Sequence, residues 1–424
     1  REDPVRKGLL LAGTETSVWV SFDDGDHWQS LELNLPHTSM RDLWIHDDDL
    51  MVATHGRSFW ILDDISPLRQ LTESVAGSPA HLFKPATAYR VRRSANTDTP
   101  IPPDEPAAEN PPDGAIIDYF VGQASATAVT LEILDAEGKI VRKFSSHDKP
   151  EPSAEELAKE LIPRYWILMS KGLSSSAGMH RWVWDLRYPA PRATRSEYPI
   201  SAVPGATPRS PEGPMAIPGE YTVRLTANGH TSSEPLVVKM DPRVKASARE
   251  LAEEFAKQRL LAGMMTENTE AVSEARALRE QLQRLTNNAP AAAAVGSTAG
   301  RAAEKISPSL AEAISAFDKK LTTILGGAGG FGAAPSPSPT LTRTAGTIGA
   351  LYGEIDRADA APTAAQLAAI KALESDFTAT SKLWQDFQAS DLPGLNRQLK
   401  SAGLAELQPA SPSRAASDEQ GDME

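Results

Sequence analysis

Two apolar triplets stand near the start of the chain, Val18-Trp19-Val20 and Phe59-Trp60-Ile61, each preceded by a second apolar stretch at Leu9–Ala12 and Leu50–Ala53. Slid along itself by 41 residues, this segment matches without a gap: Leu9 falls on Leu50, Ala12 on Ala53, Ser17 on Ser58, Trp19 on Trp60 and Asp23 on Asp64. A repeat of ~40–45 residues built from short strands is the signature of propeller blades. Unbroken apolar runs predict strands covered on both faces. Residues 1–75 are therefore expected to form the last repeat or repeats of a β-propeller.

The spacing then changes twice. Residues 76–114 read as a linker, since their second half is crowded with Pro, Asp, Glu and Asn. Across 115–243 strand signals return. Ala115–Val121 is apolar, Val129–Leu134 alternates with period two, and Lys139–Phe144 returns after an Asp135–Gly138 turn. A polar, partly helical insert follows at about 150–178. Strands resume at Arg181–Asp185, Pro218–Leu225 and Pro235–Met240, the last two joined through Asn228-Gly229, a hairpin signal. A β-sandwich is expected here. Across 244–408 apolar residues recur at helical spacing: Val272, Ala275, Leu278, Leu282 and Leu285, then Leu310, Ile314, Phe317, Leu321 and Ile324 on a heptad seam. Ser307-Pro308 and Thr363–Gln366 are helix starts. Low-complexity breaks fall at Ala289–Gly300 and Gly326–Pro339, and 409–424 is expected to be a disordered acidic tail. The fold class is thus β plus α, with a helical bundle last. Its heptad seam is open to burial within the chain or to self-association.

Composition narrows the chemistry. With 56 acidic against 43 basic residues the formal charge is −13, which argues against nucleic acid. Arg90–Arg93 is the only dense basic run and reads as a solvated strand end. The absence of cysteine excludes disulfides, thiolate nucleophiles and Cys-based metal sites. No window reaches the ~20 apolar residues of a membrane span. The chain starts at Arg1 and soon enters a strand pattern, so it reads as part of a larger protein.

Inside the first copy lies Ser21-Phe22-Asp23-Asp24-Gly25-Asp26-His27-Trp28. Gly25 suits a turn that needs positive φ, the Asp23 carboxylate can accept turn amides, and Trp28 can pack beneath. Asp23, Asp24 and Asp26 also invite a catalytic carboxylate pair or a calcium loop. Neither the ~5–10 Å cleft spacing of a glycosidase nor the ligand spacing of a calcium loop can be read from them. The structural reading is preferred, and no catalytic residue, cofactor or metal site is assigned. His55 and Arg57, in Thr54-His55-Gly56-Arg57, are candidates for an anionic or sugar ligand; the competing reading is a tight turn at Gly56 with exposed flanks. Trp182 and Trp184 lie two apart on one strand face and are candidates for sugar stacking, with a buried pair as the alternative.

The octapeptide resembles the Asp-box, or BNR repeat, Ser/Thr-x-Asp-x-Gly-x-Thr-Trp, with His27 in place of the usual Thr. Gly8–Asp64, and more loosely the sequence down to Asp241-Pro242-Arg243, is similar to the end of large bacterial BNR-repeat proteins labelled sortilin-like or glycosyl hydrolase. The later strands resemble immunoglobulin-like and fibronectin-like domains. The resemblance implies further propeller blades upstream, export to the periplasm or cell exterior, and a polysaccharide or peptide ligand. Two functions follow as expectations: a non-catalytic binding or scaffold region, or the accessory part of a glycoside hydrolase whose carboxylates lie on upstream blades. A Ser-His-Asp hydrolase is discounted, since no Gly-x-Ser-x-Gly elbow is present.

Overall fold

In a computed structural model the chain is mixed α/β, with its helices towards the C-terminus. The structure describes residues 1–92, 99, 102, 104–105, 108–199, 205, 207–287, 306–326 and 338–409. The tail at 410–424, the whole Ala289–Gly300 break, most of the Gly326–Pro339 break and part of the 94–114 stretch lie outside the described residues. Two compact units form: one comprises Arg1–Tyr188, Ile200–Thr207 and Ala216–Lys245, the other Pro189–Pro199, Pro208–Met215 and Ala246–Glu424.

The first unit opens with two antiparallel sheets. One is β1 (Leu10–Gly13), β2 (Val18–Ser21) and β3 (Gln29–Ser30); the other is β4 (Met40–His46), β5 (Asp49–Thr54) and β6 (Phe59–Leu62). They share one core, in which Leu9, Leu11, Val18 and Val20 meet Leu43, Leu50 and Val52, with Trp60 packed against it. Coverage on both faces does not hold. Val18 and Val20 are buried, but Trp19 is partly exposed, and Phe59 and Ile61 face outward.

The gap-free repeat also slips inside the hairpins. Trp19 pairs with Ala12, whereas Trp60 pairs with Val52 rather than Ala53. The reason is loop length. The first hairpin closes with the Thr14 amide on the Ser17 carbonyl, the second with the Thr54 amide on the Ser58 carbonyl, one residue further. The second strands keep the 41-residue offset, and the first strands are related by one residue fewer.

After two short helices, α1 (Ser66–Gln70) and α2 (Glu73–Ala76), the expected linker contains strands instead: β7 (Ala80–Leu82) and β8 (Ala88–Arg90). Three-residue strands are too short to display a period. They complete two further sheets, β11-β10-β13-β14-β8 and β12-β9-β7. The remaining strands are β9 (Ala115–Val121), β10 (Thr130–Leu134), β11 (Ile140–Ser145), β12 (Gly178–Trp184), β13 (Gly219–Ala227) and β14 (His230–Met240). A short helix, α3 (Ala154–Leu157), lies in the insert between β11 and β12.

Period-two alternation decides these faces. Tyr221, Val223, Leu225 and Ala227 point into a core shared by both sheets, while Glu132 and Arg224, opposite in register, pair outside it at 2.7 Å. The Asn228-Gly229 turn has φ of 51° and 77°, the two positive values that a twisted two-residue hairpin requires. Arg90, expected to be solvated, is buried on β8 and donates Nη1 to the Ala216 carbonyl at 3.0 Å. Gly114 has no room for a side chain: a Cβ there would lie 2.0 Å from the Trp184 carbonyl oxygen.

The second unit is built on α4 (Ala248–Asn287), a 40-residue helix about 60 Å long. Around it lie α5 (Pro308–Leu325), α6 (Leu341–Ile355), α7 (Ala364–Asp386) and α8 (Leu392–Ser401). Ser307 caps α5 with Pro308 in its first turn, and Thr363 with Gln366 forms a capping box on α7. The whole heptad seam, from Leu310 to Ile324, is buried against α4, Trp384, Phe387 and α8. Self-association through that seam therefore loses its basis, because the chain's own helices cover it. The α6 helix, with Leu341, Ile348, Tyr352 and Ile355 buried, went unread in the sequence. Its three glycines dilute the helical signal. Segments 189–199 and 208–215, expected in the sandwich, belong to this unit instead. The Arg192 amide donates to Thr266 Oγ1 at 3.2 Å, and the Tyr352 hydroxyl to the Glu212 carbonyl at 2.6 Å.

Candidate functional site

The Asp-box turn follows from its residue types. Gly25 takes φ 99° and Asp24 φ 62°, conformations that glycine and short polar residues tolerate. Ser21 Oγ, fully buried, donates to Asp23 Oδ1 at 2.8 Å and accepts the Gly25 amide at 2.9 Å. Asp23 Oδ1 also accepts the His27 amide at 2.9 Å, and Oδ2 meets His27 Nδ1 at 2.6 Å. Trp28 Nε1 donates to the Gly25 carbonyl at 2.9 Å, and its ring stays partly exposed.

The His27 amide, followed by the His27 ring and the Ser21 hydroxyl, holds the Asp23 carboxyl down at about 2. That carboxylate in turn raises the His27 imidazole above its ordinary value. A carboxyl held this low is ionised at neutral pH and cannot serve as a general acid. Every hydrogen bond described for it stays inside the turn.

The other sheet ends in the tip that holds His55 and Arg57. The His55 amide donates to the Ser39 carbonyl at 2.8 Å, Thr38 Oγ1 to the His55 carbonyl at 2.9 Å, and Trp60 Nε1 to the Arg57 carbonyl at 2.9 Å. Hydrogen bonds to its backbone thus fix the tip, Gly56 supplies φ 72°, and the His55 and Arg57 side chains are left exposed. Beside it the Met40 amide donates to the Thr14 carbonyl at 2.8 Å, which brings the tips of the two hairpins to one side.

Trp182 and Trp184 do share a strand face, but it is the inward one. Trp184 is fully buried, with its ring edge-on to Tyr221 at 5.4 Å and its Nε1 on the Arg187 carbonyl at 3.0 Å. Trp182 is half-buried and packs on Phe144 at 4.9 Å. No ring face of Trp184 remains for a sugar, because the core needs large apolar side chains on that face.

Sequence reasoning missed a polar junction. Arg181 binds Asp118 through Nε and Nη2, both at 3.0 Å, and donates to the Asp63 and Asp64 carbonyls at 2.5 and 2.7 Å. Burial pushes the Asp118 carboxyl up, and Arg181 opposes that shift. In sequence Arg181-Trp182 reads only as part of a strand, since long-range ion pairs leave no local period.

A cavity of about 330 Å³ lies among Leu282, Thr286, Ile306, Ile314 and Asp318 in the helical unit, and the Asp318 carboxylate lines it. Among the described residues no group of three or more His, Asp or Glu is placed to hold a metal ion, and no helix is long and apolar enough to cross a membrane. The fold and site thus define a mixed α/β chain with a rigid carboxylate-tied turn and an exposed His-Arg tip. No protein-family model matches the chain, and no curated protein matches it.

Proposed function

We propose that the chain is a non-catalytic binding or scaffold region, the C-terminal part of an exported Asp-box β-propeller protein. Its two small sheets act as the last blades, the two-sheet core as an immunoglobulin-like spacer, and the helices as a positioning bundle. The observation that carries this reading is the use made of Asp23, whose carboxylate is spent on Ser21 and His27 within a turn. Of the other perturbed carboxyls of the β unit, Asp118 is buried and bound to Arg181, while Asp42 and Asp241 are held down by Arg1 and Arg243. Hydrolysis needs one carboxyl kept protonated and a second ionised across a cleft, whereas Asp23 and Asp118 are each tied to a partner of their own. The exposed His55-Arg57 tip supplies cationic and hydrogen-bonding groups on a backbone already ordered, so a polysaccharide or acidic peptide binds with little reorganisation. Export places the protein in the periplasm or outside the cell, as the Asp-box resemblance implies.

The test is a polysaccharide and peptide panel assayed for binding and for turnover with this chain. Binding without turnover is expected, weakened about tenfold, or ~1.4 kcal/mol, by a joint His55→Ala and Arg57→Ala change. Turnover abolished by a single carboxylate substitution would overturn the proposal and favour the hydrolase.

A further inference from the structure

The cavity of about 330 Å³ in the helical unit lies between the last turns of α4 and the first turns of α5. Leu282, Ile306, Ala311 and Ile314 form its apolar wall. Leu282 and Ile314 belong to the buried core, so the space opens off apolar packing rather than off a charged face. An apolar cavity of about 150 Å³ holds one benzene, so this one has room for roughly ten carbon atoms.

One wall carries an unfinished ion pair. Asp318 on α5 lines the cavity, and its Oδ1 lies 3.6 Å from Arg279 Nε on α4. That is too far for a hydrogen bond. Both atoms are buried, and neither has another hydrogen-bond partner. Native structures rarely leave such atoms unpaired, so a donor and an acceptor left open together mark a place for a further group. Thr286 does not supply it, because its hydroxyl turns back to the Leu282 and Gln283 carbonyls, both at 3.1 Å. A single hydroxyl satisfies both atoms: it donates to Asp318 Oδ1 and accepts from Arg279 Nε–H. An ammonium offers Arg279 no acceptor, and a carboxylate offers Asp318 no donor. The opposite charges of the pair also cancel, so a charged head gains little to offset its desolvation. Water can make the same two bonds, but it leaves the apolar wall without packing contacts.

We infer that this cavity is a binding site for a medium-chain aliphatic alcohol. Its chain lies against Leu282, Ile306, Ala311 and Ile314, and its hydroxyl sits between Arg279 and Asp318. The site is made by residues of the helical unit alone. It is independent of the Asp-box reading and of the ligand at the His55-Arg57 tip.

The experiment is calorimetric titration of the whole chain with 1-decanol, decylamine and decanoate, which share a chain and differ in the head. Expected is one saturable site for 1-decanol, with the other two binding at least about tenfold more weakly. Ala311→Trp, at an exposed position on the wall, fills the space and abolishes binding. Asp318→Ala removes the acceptor and weakens 1-decanol about tenfold. Circular dichroism checks that each variant folds like the parent, and Ser315→Trp, also exposed on the wall, stands in for Ala311→Trp if that variant does not. No saturable heat from 1-decanol overturns the inference, since the cavity is then closed by the chain itself or holds only water. So does a decylamine or decanoate that binds as tightly as the alcohol, or 1-decanol binding that is unchanged in the folded Trp variant or in Asp318→Ala.

Discussion

The α5 seam and the outer face of β6 are both rows of large apolar side chains, yet they end in opposite environments. On α5, Leu310, Ile314, Phe317, Leu321 and Ile324 are all buried, because α4, α8 and the end of α7 supply the matching surfaces. On β6, Phe59 and Ile61 stay in water, because the second sheet turns its other side, with Trp60, to the only core the two sheets share. An apolar stripe requires burial without naming what provides it. A helix in a bundle has neighbours on several sides, so the chain itself is enough. Within this unit the second small sheet packs one face on the first sheet and leaves the other, with Phe59 and Ile61, in water.

That contrast predicts the largest difference in stability. Leu321→Ala removes a fully buried side chain and leaves a cavity, so chemical denaturation followed by the helical signal should show a loss of about 2–5 kcal/mol. Phe59→Ala, in the β unit, should change stability by no more than about 0.5 kcal/mol in dilute protein. A large loss at Phe59 under those conditions would mean that its face is already covered in the single chain.

A middle case sharpens it. Arg181 is polar where Phe59 is apolar, but its partners are as fixed as those of the helical seam. Arg181→Ala would leave Asp118 buried without its counter-ion and the Asp63 and Asp64 carbonyls without their donor. Breaking a fully buried pair costs ~3–5 kcal/mol. Because the Arg181 side chain remains 30% exposed, a loss of about 2–3 kcal/mol is expected from urea unfolding of the β unit. A loss under about 0.5 kcal/mol, the range of ordinary surface substitutions, would make the junction a surface ornament.

Legibility followed the length of the period. Strands of five or more residues, such as β9, β10 and β13, and the capped helices α5 and α7 were read from alternation, stripe and cap, because those signals are local. Ser21, Asp23, Gly25 and Trp28 were readable as a turn for the same reason. What escaped was decided at a distance. The β7 and β8 strands exist because β9 and β14 offer edges to pair with. The one-residue slip between the hairpins shows only in the register, since Ala12 on Ala53 looks like a perfect match in sequence. Trp184 and Trp182 share a face, as two-residue spacing demands, but spacing cannot say whether that face looks inward. The residues fix the turn, and they do not write the partner.

The smallest effect concerns the turn, where the structure is local throughout. His27 is exposed, so its raised pKa comes from the hydrogen bond and the charge of Asp23 rather than from burial. A His whose folded value is raised contributes most below its unfolded value near 6.5, and that contribution fades as pH rises through the folded value. Asp23 behaves oppositely. Its carboxyl, held at about 2, contributes above the ordinary carboxylate value and loses that contribution only as pH falls towards 2. Between those limits both partners are charged and the turn is tightest. An NMR titration of the imidazole should therefore give a midpoint above 6.5, and Asp23→Asn should return it to the ordinary value while Gly25 keeps its positive φ. If the midpoint does not move in Asp23→Asn, the 2.6 Å contact is not the source of the shift.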